Sequence, residues 1–342
     1  MARAIEVIER PGKPALTVGH FNLDLKTDDD IGWQHAAHDG DTANTLAVGY
    51  LPVRFLGMDT PEVAFSLPEK DGTRPRPKPI DDAGWQAFLA DPFGPQYPPF
   101  QPELAKHLEA HLRGRLKKTA ALNHAKYAKV AREELVKLIK ADMAHLGANP
   151  TQFLLFHAFA YEALDRYGRL LAYVHPDQPP GPQRLPSYND RLLTAGLASP
   201  YFIWPNVDPF LTAPTWLEAV IPPRQARDYA EAPGKLRAAR ESVRNARARG
   251  QGLFDLTDPL QLYPFELRFL ADRRPPARWV IDLSRRDDLL IEPQAYYEIA
   301  NVEDRLYISP EHVGFFEAAG WRRRASDRAV TVSGTKEAQD VE

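Results

Sequence analysis

Apolar and polar residues change rhythm several times along this chain, and each rhythm predicts an element. ALTVGHFNLDL (15–25) alternates in places, as edge strands or an extension do. Between 31 and 59, short apolar runs split by turn signals predict two or three strands. The Asp-Gly of HDGDT (38–42) and the Gly-Tyr of AVGYLP mark the turns. From 68 to 102 prolines break every period, while Trp85, Phe88, Phe93, Tyr97 and Phe100 supply apolar bulk. A long connection that packs in part is expected there. Leu104, Leu108, Leu112 and Leu116 form an i, i+4 stripe, and a second helix is expected over 124–143, ended by Gly147 and Pro150. Residues 153–176 read as a hairpin. SYNDRLLTAGLA is a short helix with Ser187 as N-cap and Gly196 near its end. A basic helix follows at about 233–249. Beyond Gly252, WVIDL, AYYEIA and RLYIS read as strands, PEHVGFFEAAGW as a short helix, and the last dozen residues as disordered.

Composition narrows the class. The chain has 342 residues, 44% hydrophobic and 26% charged, as soluble globular proteins do. There is no cysteine, which removes disulfides, thiolate metal sites and thiol nucleophiles, so any metal must sit on oxygen or imidazole. The formal net charge of −3 gives no global field for a polyanion. The first residues lack a secretory apolar run and no stretch approaches a membrane span, so a cytoplasmic protein is expected.

The chemistry concentrates in two places. VRFLGMDTPE (53–62) is an apolar strand carrying Arg54 and ending at Asp59, Thr60 and Glu62; HDGDT adds Asp39 and Asp41. A buried strand avoids charge unless the charge is paired or used. If the chain folds back through the AVGY turn, Asp41 and Asp59 can face one cation, with Thr60 offering a carbonyl. Hard oxygens suit Ca²⁺, and less well Mg²⁺ or Mn²⁺. Glu62 is then placed to act as a base on water. Arg54, with Arg169 of DRYGR at the other hairpin, fits a phosphate gaining negative charge. Each motif alone is also an ordinary turn or strand end; their order and joint chemistry single them out.

HDGDT, VRFLGMDTPE and DRYGRLLAYV, followed by NDRLLTAGLA, resemble the three signatures of the staphylococcal nuclease (thermonuclease-like) family, in the family's order. The resemblance covers about 31–62 and 124–254. It implies an α+β fold: a five-stranded OB-type β-barrel with three capping helices, here at about 124–143, 187–197 and 233–249. It implies that Asp41, Asp59 and the Thr60 carbonyl hold one Ca²⁺, with Asp39 supporting the loop. Glu62 takes the position of the general base, and Arg54 and Arg169 that of the phosphate-binding pair. Asp165 and Tyr167 match the nucleotide end, and Tyr201 and Trp204 fall where an aromatic pair packs on bases. The implied activity is a nuclease on DNA and RNA, single strands preferred, leaving 3′-phosphate ends. The chain departs from the family in a Pro-rich and helical insertion at about 63–123 and in a C-terminal α+β appendage, 256–342, ending in the disordered tail. The expected domains are thus 1–255 and 256–342, with the insertion or the appendage free to recruit a protein partner. A non-catalytic nucleic-acid-binding or assembly module on the same barrel is the alternative.

Weaker features remain. Helix 235–249 carries six basic residues and one acidic residue, with Arg237, Arg240, Arg244 and Arg247 on one face. That stripe suits phosphates, or more simply a solvated face. His107 and His111 are an i, i+4 pair without a third ligand.

Overall fold

The computed structural model describes residues 5–10, 13–46, 50–68, 75–165, 169–178 and 184–324. The expectations for the AVGY turn, for Tyr167 and for the C-terminal tail fall outside these residues. Among the described residues no helix is long and apolar enough to cross a membrane.

The fold is mixed α+β around a closed five-strand barrel. In chain order come β1 (Ile5–Arg10), β2 (Lys13–Leu23), α1 (Asp30–Ala36), β3 (Ala37–Asp39), β4 (Thr42–Leu46), β5 (Tyr50–Phe55) and β6 (Gly57–Asp59). A two-strand ribbon, β7 (Ala64–Phe65) and β8 (Lys78–Pro79), leads to α2 (Ala83–Ala90), α3 (Lys106–Arg115) and α4 (Ala120–His145). The hairpin is β9 (Leu154–Leu164) and β10 (Leu170–Pro176), followed by α5 (Tyr188–Thr194) and β11 (Ser199–Trp204). Then come α6 (Trp216–Ala219), α7 (Ala226–Glu231), α8 (Lys235–Ala248) and α9 (Pro264–Asp272). The chain closes with β12 (Trp279–Asp282), β13 (Leu289–Ile291), β14 (Arg305–Ile308), α10 (Val313–Ala318) and β15 (Arg322–Arg324).

The sheet runs β1-β2-β9-β10-β5-β4-β3, and Asn22 and Leu23 of β2 pair with Leu46 and Thr45 of β4 to close the ring. All pairings in the ring are antiparallel except β10 with β5, which is parallel, Leu171 opposite Arg54. Closure removes the exposed edges that a strand array would otherwise present. A second sheet runs β15-β13-β12-β14-β11-β6, so the short strand ending at Asp59 shares a sheet with strands more than 200 residues later.

Two cores hold these layers. The larger joins barrel residues such as Phe21, Val53, Phe55 and Phe159 to Ala131, Leu135 and Ile139 of α4, Leu192 of α5 and Val243 of α8. The smaller packs Ile80, Trp85, Phe88, Leu108 and Leu112 against Leu267, Leu270, Val280 and Tyr296. Residues 80–112 are thus clamped onto the segment after 260. The clamp has a polar centre: the fully buried Glu266 carboxylate accepts from Arg115 Nη1 at 2.7 Å, Tyr296 Oη at 2.6 Å and the Tyr263 N–H at 2.7 Å.

Several elements differ from the reading of the sequence. The stretch at 30–36 is a helix, because Asp29 caps it by accepting the Gly32 N–H at 2.8 Å and Trp33 and Ala36 go into the core. The Pro-rich stretch holds a true helix at 83–90, capped by Asp82 and burying Trp85, Phe88 and Leu89. AYYEIA lies on a 3-10 turn, Pro293–Glu298, since Pro293 opens a turn and has no N–H for a ladder. The Arg face of α8 is solvated in part: Arg237 and Arg244 are exposed while Leu236 and Val243 point inward, but Arg240 and Arg247 are taken up by carboxylates of the C-terminal segment. Arg240 is buried and bonds Asp304 Oδ1 at 2.6 Å, Arg247 bonds Glu303 at 2.6 Å, and Arg237 pairs with Glu241 at 2.8 Å. His107 and His111 both meet Tyr297, His107 through a 3.0 Å hydrogen bond and His111 by ring stacking.

Candidate functional site

The site starts from alternation on β5. Val53 and Phe55 are buried in the core, which turns the intervening Arg54 to the other face. The chain reverses at Leu56–Gly57, where Gly57 has φ +75° and a Cβ would stand 2.8 Å from Tyr173 Oη. This turn brings Asp59 back beneath Arg54, whose Nη2 lies 2.5 Å from Asp59 Oδ1. Across the β4–β5 pairing Thr42 stands opposite Arg54, so the Gly40–Asp41 turn falls beside the same guanidinium. Arg54 Nη2 is 3.5 Å from Asp41 Oδ2. Gly40 is required by close approach: a Cβ there would lie 2.7 Å from Ala131 of α4 and 2.8 Å from the Thr60 methyl.

Asp41 is locked in place. Its Oδ2 accepts the Thr60 N–H at 3.1 Å, its Oδ1 accepts Thr42 Oγ1 at 3.2 Å, and its own N–H donates to Asp39 Oδ1 at 3.2 Å. Glu62 is fixed by its backbone, which donates to Nε2 of the buried His124 on α4 at 2.8 Å. Asp39, Asp41, Arg54, Asp59, Thr60 and Glu62 are therefore gathered, as the spacing of the motifs predicts.

A residue that the sequence did not suggest joins them. Arg268 of α9 reaches Asp59 with Nη2–Oδ2 at 2.5 Å and Nη1–Oδ1 at 3.0 Å, and Glu62 with Nη1–Oε1 at 2.5 Å. PFELRFLAD carried the signal: Arg268 stands among Leu267, Phe269 and Leu270, and a cation inside an apolar helix face implies a buried partner. His124, holding Glu62 from α4, was likewise overlooked.

Four carboxylates thus face two guanidiniums, an excess of negative groups. Burial drives Asp39 well above the ordinary carboxylate range, and the neighbouring Asp41 adds to this. Burial opposes charge on Asp41 too, but Arg54, Asp39 and the Thr60 N–H outweigh it and hold Asp41 below that range. Burial raises Asp59 and Glu62, against the pull of Arg268.

The other expected residues are held by contacts of their own. Arg169, two positions ahead of the β10 partner of Arg54, donates from Nε to Asp165 Oδ2 at 2.7 Å and from its N–H to Asp165 Oδ1 at 3.0 Å. That pair closes the end of the β9–β10 hairpin. Tyr201 pairs with Gly57, stacks on Phe265 with centroids 5.4 Å apart, and its hydroxyl accepts from Arg278 Nη1 at 3.0 Å. Trp204 is a core residue, 1% exposed, with its indole N–H donated to the Ala219 carbonyl at 3.0 Å, so it presents no face to a base.

Asp41 and Asp59 supply hard oxygens that converge on one nitrogen, which fits a Ca²⁺-type cation in donor chemistry. Both Asp59 oxygens are engaged by Arg268, and among the described residues no three His, Asp or Glu side chains are grouped as a metal set. In comparison with known proteins, no family model and no curated protein matches the chain.

Proposed function

We propose that this protein is a divalent-metal-dependent phosphodiesterase, using Ca²⁺ before Mg²⁺ or Mn²⁺, that hydrolyses DNA and RNA with a preference for single strands. The barrel is read as OB-type, with α4, α5 and α8 as its capping helices. The observation that carries this reading is the convergence of Asp41 and Asp59 on Arg54, with Thr60 and Glu62 in the same pocket. Asp41, Asp59 and the Thr60 carbonyl would hold the ion, with Asp39 bracing the loop. When bound, the ion supplies positive charge at the phosphate.

The rest is work for the chain's own side chains. Glu62 orients a water and takes its proton as the water oxygen attacks phosphorus. The bond from phosphorus to the 5′ oxygen breaks, that oxygen takes up a proton, and the 3′ side keeps the phosphate. Arg54 and Arg169 stabilise the added negative charge on the phosphate oxygens. Asp165, with Tyr167 of the same motif, would serve the nucleotide end. The test is cleavage of labelled single-stranded DNA and RNA with Ca²⁺, with Mg²⁺ and with EGTA. Cleavage that needs the metal and is lost in Arg54→Ala and Glu62→Gln supports the reading; metal-independent cleavage, or full activity in both variants, refutes it.

A second reading has one observation in its favour: Arg268 already neutralises Asp59 and Glu62. In it the barrel binds nucleic acid or assembles with partners without cutting. Strands bound and released intact in EGTA and in Ca²⁺ alike would select it.

A further inference from the structure

We propose that Arg268 is the resident counter-ion of the carboxylate pocket and excludes the metal, so that a divalent cation enters only when this guanidinium withdraws from Asp59. The inference rests on reading Asp41 and Asp59 as the cation site, and adds what controls access to it.

Three observations carry it. First, the contact is complete at Asp59: Arg268 binds both carboxylate oxygens, at 2.5 and 3.0 Å, and extends to Glu62 at 2.5 Å. With Arg54 also on Oδ1 at 2.5 Å, that oxygen is filled, and an ion on Oδ2 would share the oxygen with the Arg268 guanidinium and stand against its positive charge. Second, the two partners differ in freedom. Asp59 is fully buried on a strand paired on its far side with Ser199, while the Arg268 side chain is 21% exposed. The arginine can swing toward water and the carboxylate cannot. Third, the pocket retains a polar atom with nothing to bind: Thr60 Oγ1 is buried and without a hydrogen-bond partner, beside the Asp41 oxygen that its own N–H contacts.

The backbone of α9 is not what moves. Leu267 and Leu270 are fully buried in the smaller core and Glu266 is tied to Arg115, Tyr296 and Tyr263. The helix therefore presents Arg268 at a fixed base, and exchange is a matter of side-chain rotamers.

Calorimetric titration of the full chain with Ca²⁺ tests this in wild type, R268Q, R268K and D59N. R268Q should bind Ca²⁺ about tenfold or more tightly than wild type, because a fixed positive charge leaves the ligand set. R268K keeps the charge but can no longer bridge two Asp59 oxygens and Glu62, so it should fall between the two; it also carries the test if R268Q fails to fold. D59N should lose binding. Equal affinity in wild type, R268Q and R268K overturns the proposal and leaves the metal-site reading standing. R268K equal to wild type with R268Q tighter also overturns it, since only the general field would then matter. No binding in any of the chains at about 10 mM Ca²⁺, beyond the weak end of biological sites, overturns both.

Discussion

Glu266→Ala should cost about 3–5 kcal/mol of stability, the range for removing one partner of a buried ion pair. The fully buried carboxylate receives three donors: Arg115 Nη1 at 2.7 Å, the Tyr296 hydroxyl at 2.6 Å and the Tyr263 N–H at 2.7 Å. Stranding the phenol and the backbone N–H costs about 1–3 kcal/mol each. Arg115 is 25% exposed and can recover part of its hydration, which keeps the total below a simple sum. The comparison is Arg113→Ala, two positions earlier on α3's outer side. Arg113 pairs with Glu109 at 2.7 Å and Asp91 at 3.1 Å, but it is 48% exposed, and such pairs contribute under about 1 kcal/mol. Urea unfolding followed by tryptophan fluorescence reads both, Trp85 lying in the same core. A further arm replaces both partners, Arg115→Met with Glu266→Leu, which should regain only the part owed to the uncompensated Arg115 charge, because the Tyr296 hydroxyl and the Tyr263 N–H still lack their acceptor. If Glu266→Ala loses no more than Arg113→Ala, the clamp between residues 80–115 and α9 does not hold as described.

Gly57→Ala should destabilise by roughly 1–3 kcal/mol, since φ is +75° and the added methyl would meet Tyr173 Oη at 2.8 Å; a neutral result in urea unfolding would refute the tight turn. Ser187→Ala should cost about 1 kcal/mol by the same assay, because Ser187 Oγ accepts the Asp190 N–H at 3.0 Å at the start of α5. Burial lowers His124 to about 3 and His175 to about 4, the latter helped by Lys235, so both stay neutral in the folded state. The unfolded chain takes up these protons near pH 6.5, so this contribution is full above that pH. It falls by about 1.4 kcal/mol per pH unit per histidine as pH drops toward the folded values. The stability gap between wild type and His124→Gln should therefore narrow from pH 7 to pH 5, and a constant gap would show that His124 is not buried neutral against the Glu62 N–H.

How much was legible follows from the range of each interaction. Ser187, the Gly40–Asp41 turn and the hairpin of β9 and β10 are set by neighbours in sequence, and the local pattern gave them away. The gathering of Asp41, Arg54, Asp59, Thr60 and Glu62 was legible too, because all sit on consecutive turns of one chain segment. What was missed is what the tertiary fold supplies. Helix α1 was hidden because its apolar spacing, Trp33 and Ala36, is too short to set against a strand. Trp204 looked available to a base because aromatic sequence does not say which face is covered, and the core and Ala219 cover it. Arg240 and Arg247 of α8 read as part of a solvated face or a phosphate stripe because their partners, Asp304 and Glu303, lie 64 and 56 residues away.

Arg268 is the sharpest case of the same distance effect, and it bears on how the two ends of the chain relate. Asp59 and Arg268 are 209 residues apart, yet each is half of the other's solution. A fully buried carboxylate needs a cation, and an arginine on an apolar helix face needs an anion. β6 pairs with β11, β11 with β14, and Glu266 fixes α9 to α3, so three independent contacts bring that pair together. Charge complementarity and packing therefore agree, as they must in a cooperative fold. Residues 63–123 and those after 255 were set apart in the sequence because they lie outside the motifs. Physically they share the smaller core, residues such as Leu306 and Phe316 also join the larger one, and Arg268 adds a second guanidinium to the one that Arg54 already gives Asp59. The carboxylate pocket is thus complete in the distant segments as much as in the strand that first displayed it.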